Sequence, residues 1–289
     1  MPELPEVEVV KRSLIKKTQN LIVKAVKIND GKLRYKIDRN KIKKIIGLKI
    51  KKISRRSKYL LFFFNKDIVM LVHLGMTGKF FFVDRKRTKY KTSFYYDLNK
   101  EKDKKHDRII FDLSNNQKLI YNDIRKFGFI KFIESVNLYQ NPHLKHLGPE
   151  PLSNKFNIRY FKNYIKGKGR TIKDTLMDQK FISGLGNIYV NEILFYSGVR
   201  PEKKIKKLKD AEIKKIIKFS KKIISKAIIA GGSSIKDFSS SSGKKGSFQQ
   251  LFKVYGKKAE NCPNVKCKGK IKKIIIANRS SFFCANCQK

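Results

Sequence analysis

The four cysteines of this 289-residue chain all lie within its last 28 residues. Their spacing is Cys262-x4-Cys267-x16-Cys284-x2-Cys287, and the residues between the two pairs predict two short strands. Two cysteine pairs on the turns of a hairpin suit zinc, which takes four thiolates in a closed tetrahedral shell. Paired spacing in an intracellular chain favours metal over disulfides, and the alternative is four thiols without a metal. We expect one structural zinc ion.

Composition narrows the function only weakly. The formal net charge is +46, and such a field attracts polyanions and accelerates their encounter. The chain is also rich in Lys, Ile, Asn, Phe and Tyr, as an AT-rich genome would encode, so charge alone does not establish nucleic-acid binding. No apolar run has the length of a membrane span. The acidic start argues against a secretory signal, so we expect a cytoplasmic protein without membrane association.

The first residues, Met1-Pro2-Glu3-Leu4-Pro5-Glu6, suggest a nucleophile. Removal of Met1 would expose Pro2 as a secondary amine, which can attack an electrophilic sugar carbon as lysine amines do in Schiff-base enzymes. Glu3 adjoins the amine and could act as a general acid, and Glu6 follows one helical turn later. The alternative is an ordinary helix start, where Pro and Glu are common.

Periodicity predicts a helix over residues 3–18, followed by a β-rich region. The predicted strand-like segments are Leu21–Asn29, Leu48–Asn65, Ile68–Val83, Arg108–Leu113, Lys118–Asn122 and Phe129–Ile133. Residues 84–107 are charged and predict a surface excursion, and Gly and Pro near residues 141–151 indicate a linker. The predicted helices that follow are Phe156–Lys166, Ile172–Ile182, Ile188–Ser197 and Ala211–Ala230.

Two further features suggest phosphate binding. The segment Gly184–Glu192 contains Gly-Leu-Gly-Asn before a helix, and we expect Asn187 to cap that helix, whose free N–H groups suit a phosphate. Arg279 lies near the predicted tip of the cysteine hairpin, where its planar fork could reach a phosphate. The alternatives are a plain helical turn and a solvated arginine.

These pieces, in this order, resemble the bacterial formamidopyrimidine-DNA glycosylase family, and the likeness covers nearly the whole chain. The motifs that carry it are the Pro-Glu-Leu-Pro-Glu start, Ser57–Leu60, His73–Gly78, Lys105–Asp107, Asp123–Gly128, Leu147–Leu152, Gly184–Glu192, Gly231–Phe238, Val254–Gly256 and the cysteine hairpin.

The resemblance implies an α+β multidomain fold. We expect an N-terminal helix and β-sandwich in residues 1–140, a helix–two-turn–helix domain in residues 141–250, and a C-terminal zinc β-hairpin in residues 251–289. The Gly/Ser-rich stretch 231–247 would close over a damaged base. The implied partner is double-stranded DNA with oxidised bases, bound by a monomer.

The resemblance also implies roles for residues. Pro2 would be the nucleophile and Glu3 the acid, with Glu6 supporting the pocket. Lys58 and Arg279 would assist strand cleavage by β- and δ-elimination. The implied DNA contacts are His73, His106, Arg125, Lys168 and Asn187, and the implied wedge that fills the space of the extruded base consists of Met76, Arg125 and Phe127. For Met76 and Phe127 the alternative is packing in the core.

Some positions depart from the family pattern. The first cysteine pair has two more residues than the common Cys-x2-Cys, and Ile124 replaces the usual proline. Two other functions stay open at this point. One is the sister family that resembles endonuclease VIII and removes oxidised pyrimidines, although Leu4 favours the purine branch. The other is an inactive zinc protein that only binds nucleic acid.

Overall fold

A computed structural model describes residues 1–83, 89–91, 101–233 and 248–289. The chain forms two compact units, one of residues 1–145 with 230–247 and one of residues 146–229 with 248–289. Most of the predicted excursion at 84–107 and of the base-covering stretch 231–247 lies outside the described residues. The domain boundaries after residues 140 and 250 stay predictions.

The first unit begins with helix α1 and continues with antiparallel strands. Their bounds are α1 Leu4–Thr18, β1 Val23–Ile28, α2 Arg39–Lys43, β2 Ile50–Arg56, β3 Tyr59–Phe64, β4 Ile68–His73, β5 Lys79–Val83, β6 Lys89–Lys91, β7 Asp107–Leu113, β8 Lys118–Asn122 and β9 Phe129–Glu134. One sheet has the order β1-β7-β8-β5-β6 and the other β2-β3-β4-β9. The predicted β-rich region is therefore confirmed.

The core of this unit lies between the two sheets. Phe62 on β3 and Phe80 on β5 are fully buried, and their ring centroids lie 5.9 Å apart. Helix α1 packs on β2 and β3, and its buried Val7, Val10 and Leu14 join the same core. Burying an aliphatic side chain of this size contributes roughly 1.5–3 kcal/mol. This packing fixes the start of α1 against the four-stranded sheet.

Two predicted strand-like segments are each broken by a turn. Leu48–Asn65 divides into β2 and β3 because Ser57 adopts a left-handed backbone with φ of 56°. Ile68–Val83 divides into β4 and β5 because residues 74–78 turn around Gly75, whose φ is +63°. A Cβ at Gly75 would lie 2.4 Å from the backbone of Phe127 and Gly128, so only glycine fits there.

The second unit is helical and ends in a hairpin. Its elements are α3 Ile158–Ile165, α4 Ile172–Met177, α5 Asn187–Ser197, α6 Asp210–Ile229, β10 Ile271–Ile276 and β11 Arg279–Cys284. Helix α5 is buried on nearly all sides because it packs against α4, α6 and β11. The strands pair in antiparallel register from Ile271 with Cys284 to Ile276 with Arg279.

Two predictions for these helices were wrong in detail. The helix expected over Ile172–Ile182 ends at Met177, because Asp178 turns extended and its carboxylate accepts from the Lys180 amide at 2.9 Å. Asn187 does not cap α5: Gly186 holds the cap position, and Asn187 is the first helical residue. The Asn187 side chain instead donates to the Ser280 carbonyl oxygen at 3.1 Å.

Candidate active site and nucleic-acid interface

The start of the chain places buried carboxyls beside the amino terminus. Met1 is 44% exposed, whereas Pro2 is buried and Glu3 is 3% exposed. Glu6 accepts a hydrogen bond from the Glu3 amide at 2.9 Å, which satisfies one of the free N–H groups at the start of α1. The sequence predicted that Pro2, Glu3 and Glu6 lie together. They do so because all three lie at the start of α1.

The electrostatic environment of the terminus favours a neutral amine. Burial lowers the pKa of the Met1 amino group below its ordinary value, and the charges of Lys58 and Arg125 act in the same direction. Glu3 and Glu6 oppose the effect without cancelling it. A neutral amine is the form that can attack an electrophile. The structure thus brings Lys58 and Arg125 close enough to the terminus to act on it.

Lys58 lies at the tip of the β2–β3 hairpin. It is 7% exposed and follows the left-handed Ser57, so the turn directs it inward from the end of the sheet. Arg55, at the end of β2, donates from Nη1 to the Ser57 carbonyl oxygen at 2.9 Å. The hairpin therefore fixes the backbone next to Lys58.

Glu6 connects α1 with the beginning of the Gly/Ser-rich stretch. Its Oε1 accepts from the Ser233 amide at 2.8 Å and from the Ser233 hydroxyl at 3.0 Å. The preceding Gly232 has a φ of +81°, and a Cβ there would lie 3.1 Å from Glu6 Oε1. The carboxylate, 2% exposed, thus holds the segment's first residues on α1.

Two neighbouring loops of the first unit expose large side chains. Met76 is 37% and Phe127 is 45% exposed, so neither belongs to the core. The guanidinium carbon of Arg125 lies 4.6 Å from the centre of the Phe127 ring, a cation–π contact. An apolar side chain, a ring and an arginine at one surface are what a wedge between bases requires.

Thr77 and Asp123 join these two loops. The Thr77 hydroxyl donates to Asp123 Oδ1 at 2.5 Å and accepts from the Arg125 amide at 3.0 Å. Asp123 is fully buried, and its Oδ2 accepts from the Gly128 amide at 2.8 Å. Sequence reasoning assigned neither residue a role, although both lie within motifs that carry the family resemblance.

The two histidines predicted as DNA contacts have defined tautomers. His73 Nδ1 accepts from the Gly75 amide at 3.1 Å, so Nε2 carries the proton. Burial lowers the pKa of His73 to about 4, and the charges of Lys58, Arg34 and His143 add to this. His106 Nδ1 lies 3.2 Å from an Arg108 guanidinium nitrogen, which can only donate. Both rings can therefore donate from Nε2 while neutral.

In the second unit, two polar side chains converge on the beginning of β11. Lys173 Nζ donates to the Ser280 carbonyl oxygen at 2.7 Å and to the Ser281 hydroxyl at 2.6 Å. Asn187 donates to the same Ser280 carbonyl. Burial lowers the pKa of Lys173 to about 7, and the charge of Arg279 adds to this. Sequence analysis did not identify Lys173, because no pattern distinguishes one lysine in a chain with 69 Lys and Arg residues.

Lys168 lies apart from that group. Its Nζ is 3.2 Å from the centre of the Tyr164 ring, and it contributes to the wall of a cavity of about 650 Å³ between α3 and the start of α6. The cation–π contact restrains the lysine on the surface of the unit.

The four cysteines meet at the base of the β10–β11 hairpin. Their Sγ atoms all lie within 4.8 Å of one another, with Cys262–Cys287 at 3.7 Å and Cys267–Cys284 at 3.6 Å. Zinc–sulfur bonds of about 2.3 Å in a tetrahedron place sulfurs about 3.8 Å apart, so the cluster fits a metal ion. The long first pair is accommodated by a turn in which the Cys267 amide donates to the Asn264 carbonyl oxygen.

Among the described residues, none of the helices has both the length and the apolar composition needed to cross a membrane.

Comparison with known proteins identifies the family. Residues 1–130 match the N-terminal domain of formamidopyrimidine-DNA glycosylase, and residues 147–239 match its H2TH domain. A formamidopyrimidine-DNA glycosylase of Rickettsia bellii is 39% identical over all 289 residues and the whole of both chains.

Solved structures are similar over the same length. A Lactococcus lactis Fpg mutant in complex with Fapy-dG containing DNA superimposes with a TM-score of 0.85 at 33% identity, with full coverage of both chains. The wild-type Lactococcus lactis Fpg in complex with DNA that contains an oxidized pyrimidine gives a TM-score of 0.83 at 32% identity, again over both chains completely. This chain therefore belongs to the formamidopyrimidine-DNA glycosylase family.

Proposed function

We propose that this chain is a bifunctional base-excision repair enzyme that removes oxidised purines from duplex DNA and then cleaves the strand. One observation carries the proposal. The Met1 amino group lies among buried Glu3 and Lys58, where burial and positive charge lower its pKa, and removal of Met1 would expose the Pro2 nitrogen beside the same groups. Solved relatives bound to DNA that contains Fapy-dG or an oxidized pyrimidine support damaged DNA as the substrate class.

The first chemical step would use the terminal proline. After removal of Met1, the Pro2 nitrogen forms a bond to C1′ of the damaged nucleotide, the bond from C1′ to the base breaks, and the proton that the amine loses goes to the departing base. Glu3 donates a proton to the ring oxygen as the C1′–O4′ bond opens, which leaves an iminium between Pro2 and the sugar. Glu6 would hold α1 and residue 233 around this site.

Strand cleavage would follow from the iminium. The iminium makes the C2′ proton acidic, so its removal expels the 3′ phosphate, and a second elimination expels the 5′ phosphate. The charge of Lys58 acts on the terminus. Lys58 would contact the lesion and its phosphate during base excision, and it would then assist elimination. Arg279 would serve the elimination steps from its place at the start of β11.

The exposed side chains would bind and distort the duplex. Met76 and Phe127 would replace lost stacking, and Arg125 would hydrogen-bond the orphaned partner base. Asn187 and Arg279 would contact phosphates, and His73, His106 and Lys168 would be further DNA contacts. We expect affinity to fall steeply with salt. We further propose that the protein works as a monomer in the bacterial cytoplasm, in association with the nucleoid.

We propose that the metal in the cysteine cluster is a single zinc ion held by Cys262, Cys267, Cys284 and Cys287. Four thiolates would close its coordination shell, so it would stabilise the hairpin that presents Arg279 and take no part in bond breaking.

Borohydride trapping tests the chemistry. The wild type, Pro2→Gly and Glu3→Gln are incubated with a duplex that carries 8-oxoguanine opposite cytosine, and the covalent adduct is measured. We expect an adduct with the wild type that Pro2→Gly abolishes. A wild-type adduct only on a duplex with an oxidised pyrimidine would assign the protein the other lesion class, which the second Lactococcus lactis complex makes a specific alternative. Tight DNA binding without an adduct on either duplex would refute the catalytic proposal.

A further inference from the structure

A buried ion pair joins α1 to the end of β2. Arg55 Nε donates to Glu8 Oε2 at 2.9 Å, and each side chain is 9% exposed. The other carboxylate oxygen of Glu8 bonds Lys11 at 2.7 Å and Arg12 at 3.0 Å. Burial alone would raise the pKa of Glu8, but the hydrogen bonds and charges of Lys11 and Arg55 lower it below its ordinary value. Glu8 therefore stays ionised at neutral pH.

Arg55 makes a second bond that reaches the hairpin turn. Its Nη1 donates to the Ser57 carbonyl oxygen at 2.9 Å, and Ser57 is 1% exposed with a left-handed backbone. That carbonyl belongs to the peptide bond that leads into Lys58. One planar guanidinium, whose donors are fixed in a rigid fork, thus bonds both α1 and the backbone beside Lys58.

The two ends of this bridge carry the groups proposed for catalysis. Glu8 lies in the second turn of α1, the helix whose first residues hold the amino terminus and Glu3. The Lys58 charge already acts on the terminal amine. The carboxylate–guanidinium–carbonyl chain therefore ties the element that carries the amine to the turn that carries the lysine.

We propose that Arg55 and Glu8 are positioning residues that hold Lys58 in place relative to the terminal amine. The inference rests on the proposed glycosylase and lyase function. A misplacement of about 1 Å in a catalytic group can reduce a rate roughly 100-fold. Loss of the bridge should therefore slow the chemistry while leaving the DNA-binding surface intact.

Arg55→Lys tests the bridge directly, because it retains the charge but a single ammonium lacks the fork that reaches both Glu8 and Ser57. Arg12→Lys is the matched control, since Arg12 also bonds Glu8 but its side chain is 58% exposed. Single-turnover excision of 8-oxoguanine and the Kd for a duplex with an abasic-site analogue are measured for each. We expect Arg55→Lys to slow excision about 10- to 100-fold with Kd within about threefold, and Arg12→Lys to change neither beyond about twofold.

A double-mutant cycle with Lys58→Gln separates positioning from general stability. If Arg55 acts through Lys58, Arg55→Lys should slow excision by less than about twofold in the Lys58→Gln background. Losses that multiply would overturn the inference, as would an unchanged rate in Arg55→Lys. Glu8→Gln provides the same comparison if Arg55→Lys does not fold. If the wild type excises the base and Arg55→Lys and Glu8→Gln do so at the same rate, only the bridge is refuted. If the wild type forms no adduct, the proposed function is refuted, and the bridge with it.

Discussion

Lys173 Nζ lies 2.6 Å from the Ser281 hydroxyl oxygen, so a buried amine on α4 holds the strand that begins with Arg279. The same nitrogen donates to the Ser280 carbonyl oxygen, to which Asn187 also donates. Lys173 and Asn187 therefore share one backbone acceptor, which belongs to the residue that follows Arg279 in β11.

The depressed pKa of Lys173 predicts a pH-dependent stability. Burial lowers this pKa from 10.5 to about 7, so between these values the unfolded chain binds more protons than the folded protein. Stability relative to a variant without the amine should therefore rise with pH across this window, by at most about 1.4 kcal/mol per pH unit.

Thermal denaturation of the wild type and Lys173→Met between pH 6.5 and 10 measures this effect. The difference in Tm should move in favour of the wild type as the pH rises, whereas the same comparison for Lys222→Met, an exposed lysine on α6, should stay flat. A constant difference for Lys173→Met would contradict the prediction.

Thr77→Val should weaken the proposed wedge. The change removes the hydroxyl that donates to buried Asp123 and accepts from the Arg125 amide, so a buried carboxylate oxygen loses its partner. We expect a loss of about 1–3 kcal/mol of stability and slower base extrusion. Stopped-flow fluorescence with 2-aminopurine beside the lesion would report extrusion. Thr77→Ser keeps the hydroxyl and should behave as the wild type; equal rates for Val and Ser would show that the bond has no role in the wedge.

The sequence predicts the elements better than the contacts between them. Helix α1, the β7–β8 hairpin and the cysteine hairpin follow from periodicity, turn residues and spacing, because these are local properties. The turns at Ser57 and Gly75 were missed because strand-like residues precede and follow each turn. These turns become apparent only from the antiparallel pairing of β2 with β3 and of β4 with its neighbours.

The candidate site divides in the same way. The sequence singles out Pro2, Glu3 and the cysteines as candidates because the chemistry proposed for them depends on a chain end or on ligand spacing. Arg55, Asp123 and Lys173 could not, since their importance comes from burial and from partners distant in sequence. In a chain with 69 cationic residues, the few that are buried are visible only in the fold. The same holds for the role of Asn187, which the sequence predicted as a helix cap.

Glu6→Gln should loosen residue 233 from α1. The carboxylate of Glu6 accepts on one oxygen from the Glu3 amide and on the other from the Ser233 amide and hydroxyl. A glutamine has a single acceptor oxygen, so its NH₂ group must face one of these donors. Loss of a hydrogen bond to a charged group corresponds to about 1.5–3 kcal/mol, so amide exchange at Ser233 should accelerate roughly tenfold or more.

Hydrogen exchange followed by mass spectrometry would measure this change on peptides that span residues 228–233. Glu8→Gln, on the same helix but bonded to Arg55 and Lys11, is the control that should leave Ser233 protected. Unchanged protection in Glu6→Gln would mean that the segment is held by other contacts.

Removal of the metal should affect the hairpin and spare the first unit. Elemental analysis should find one zinc per chain, and Cys267→Ser should lower that content because three thiolates bind zinc more weakly than four. Strand β11 packs on α5. Loss of the ion should make the position of Arg279 in β11 less ordered and weaken DNA binding. Chelation should have the same effect on the wild type. Full DNA affinity after complete zinc removal would show that the hairpin holds Arg279 without metal, through Lys173 and Asn187 alone.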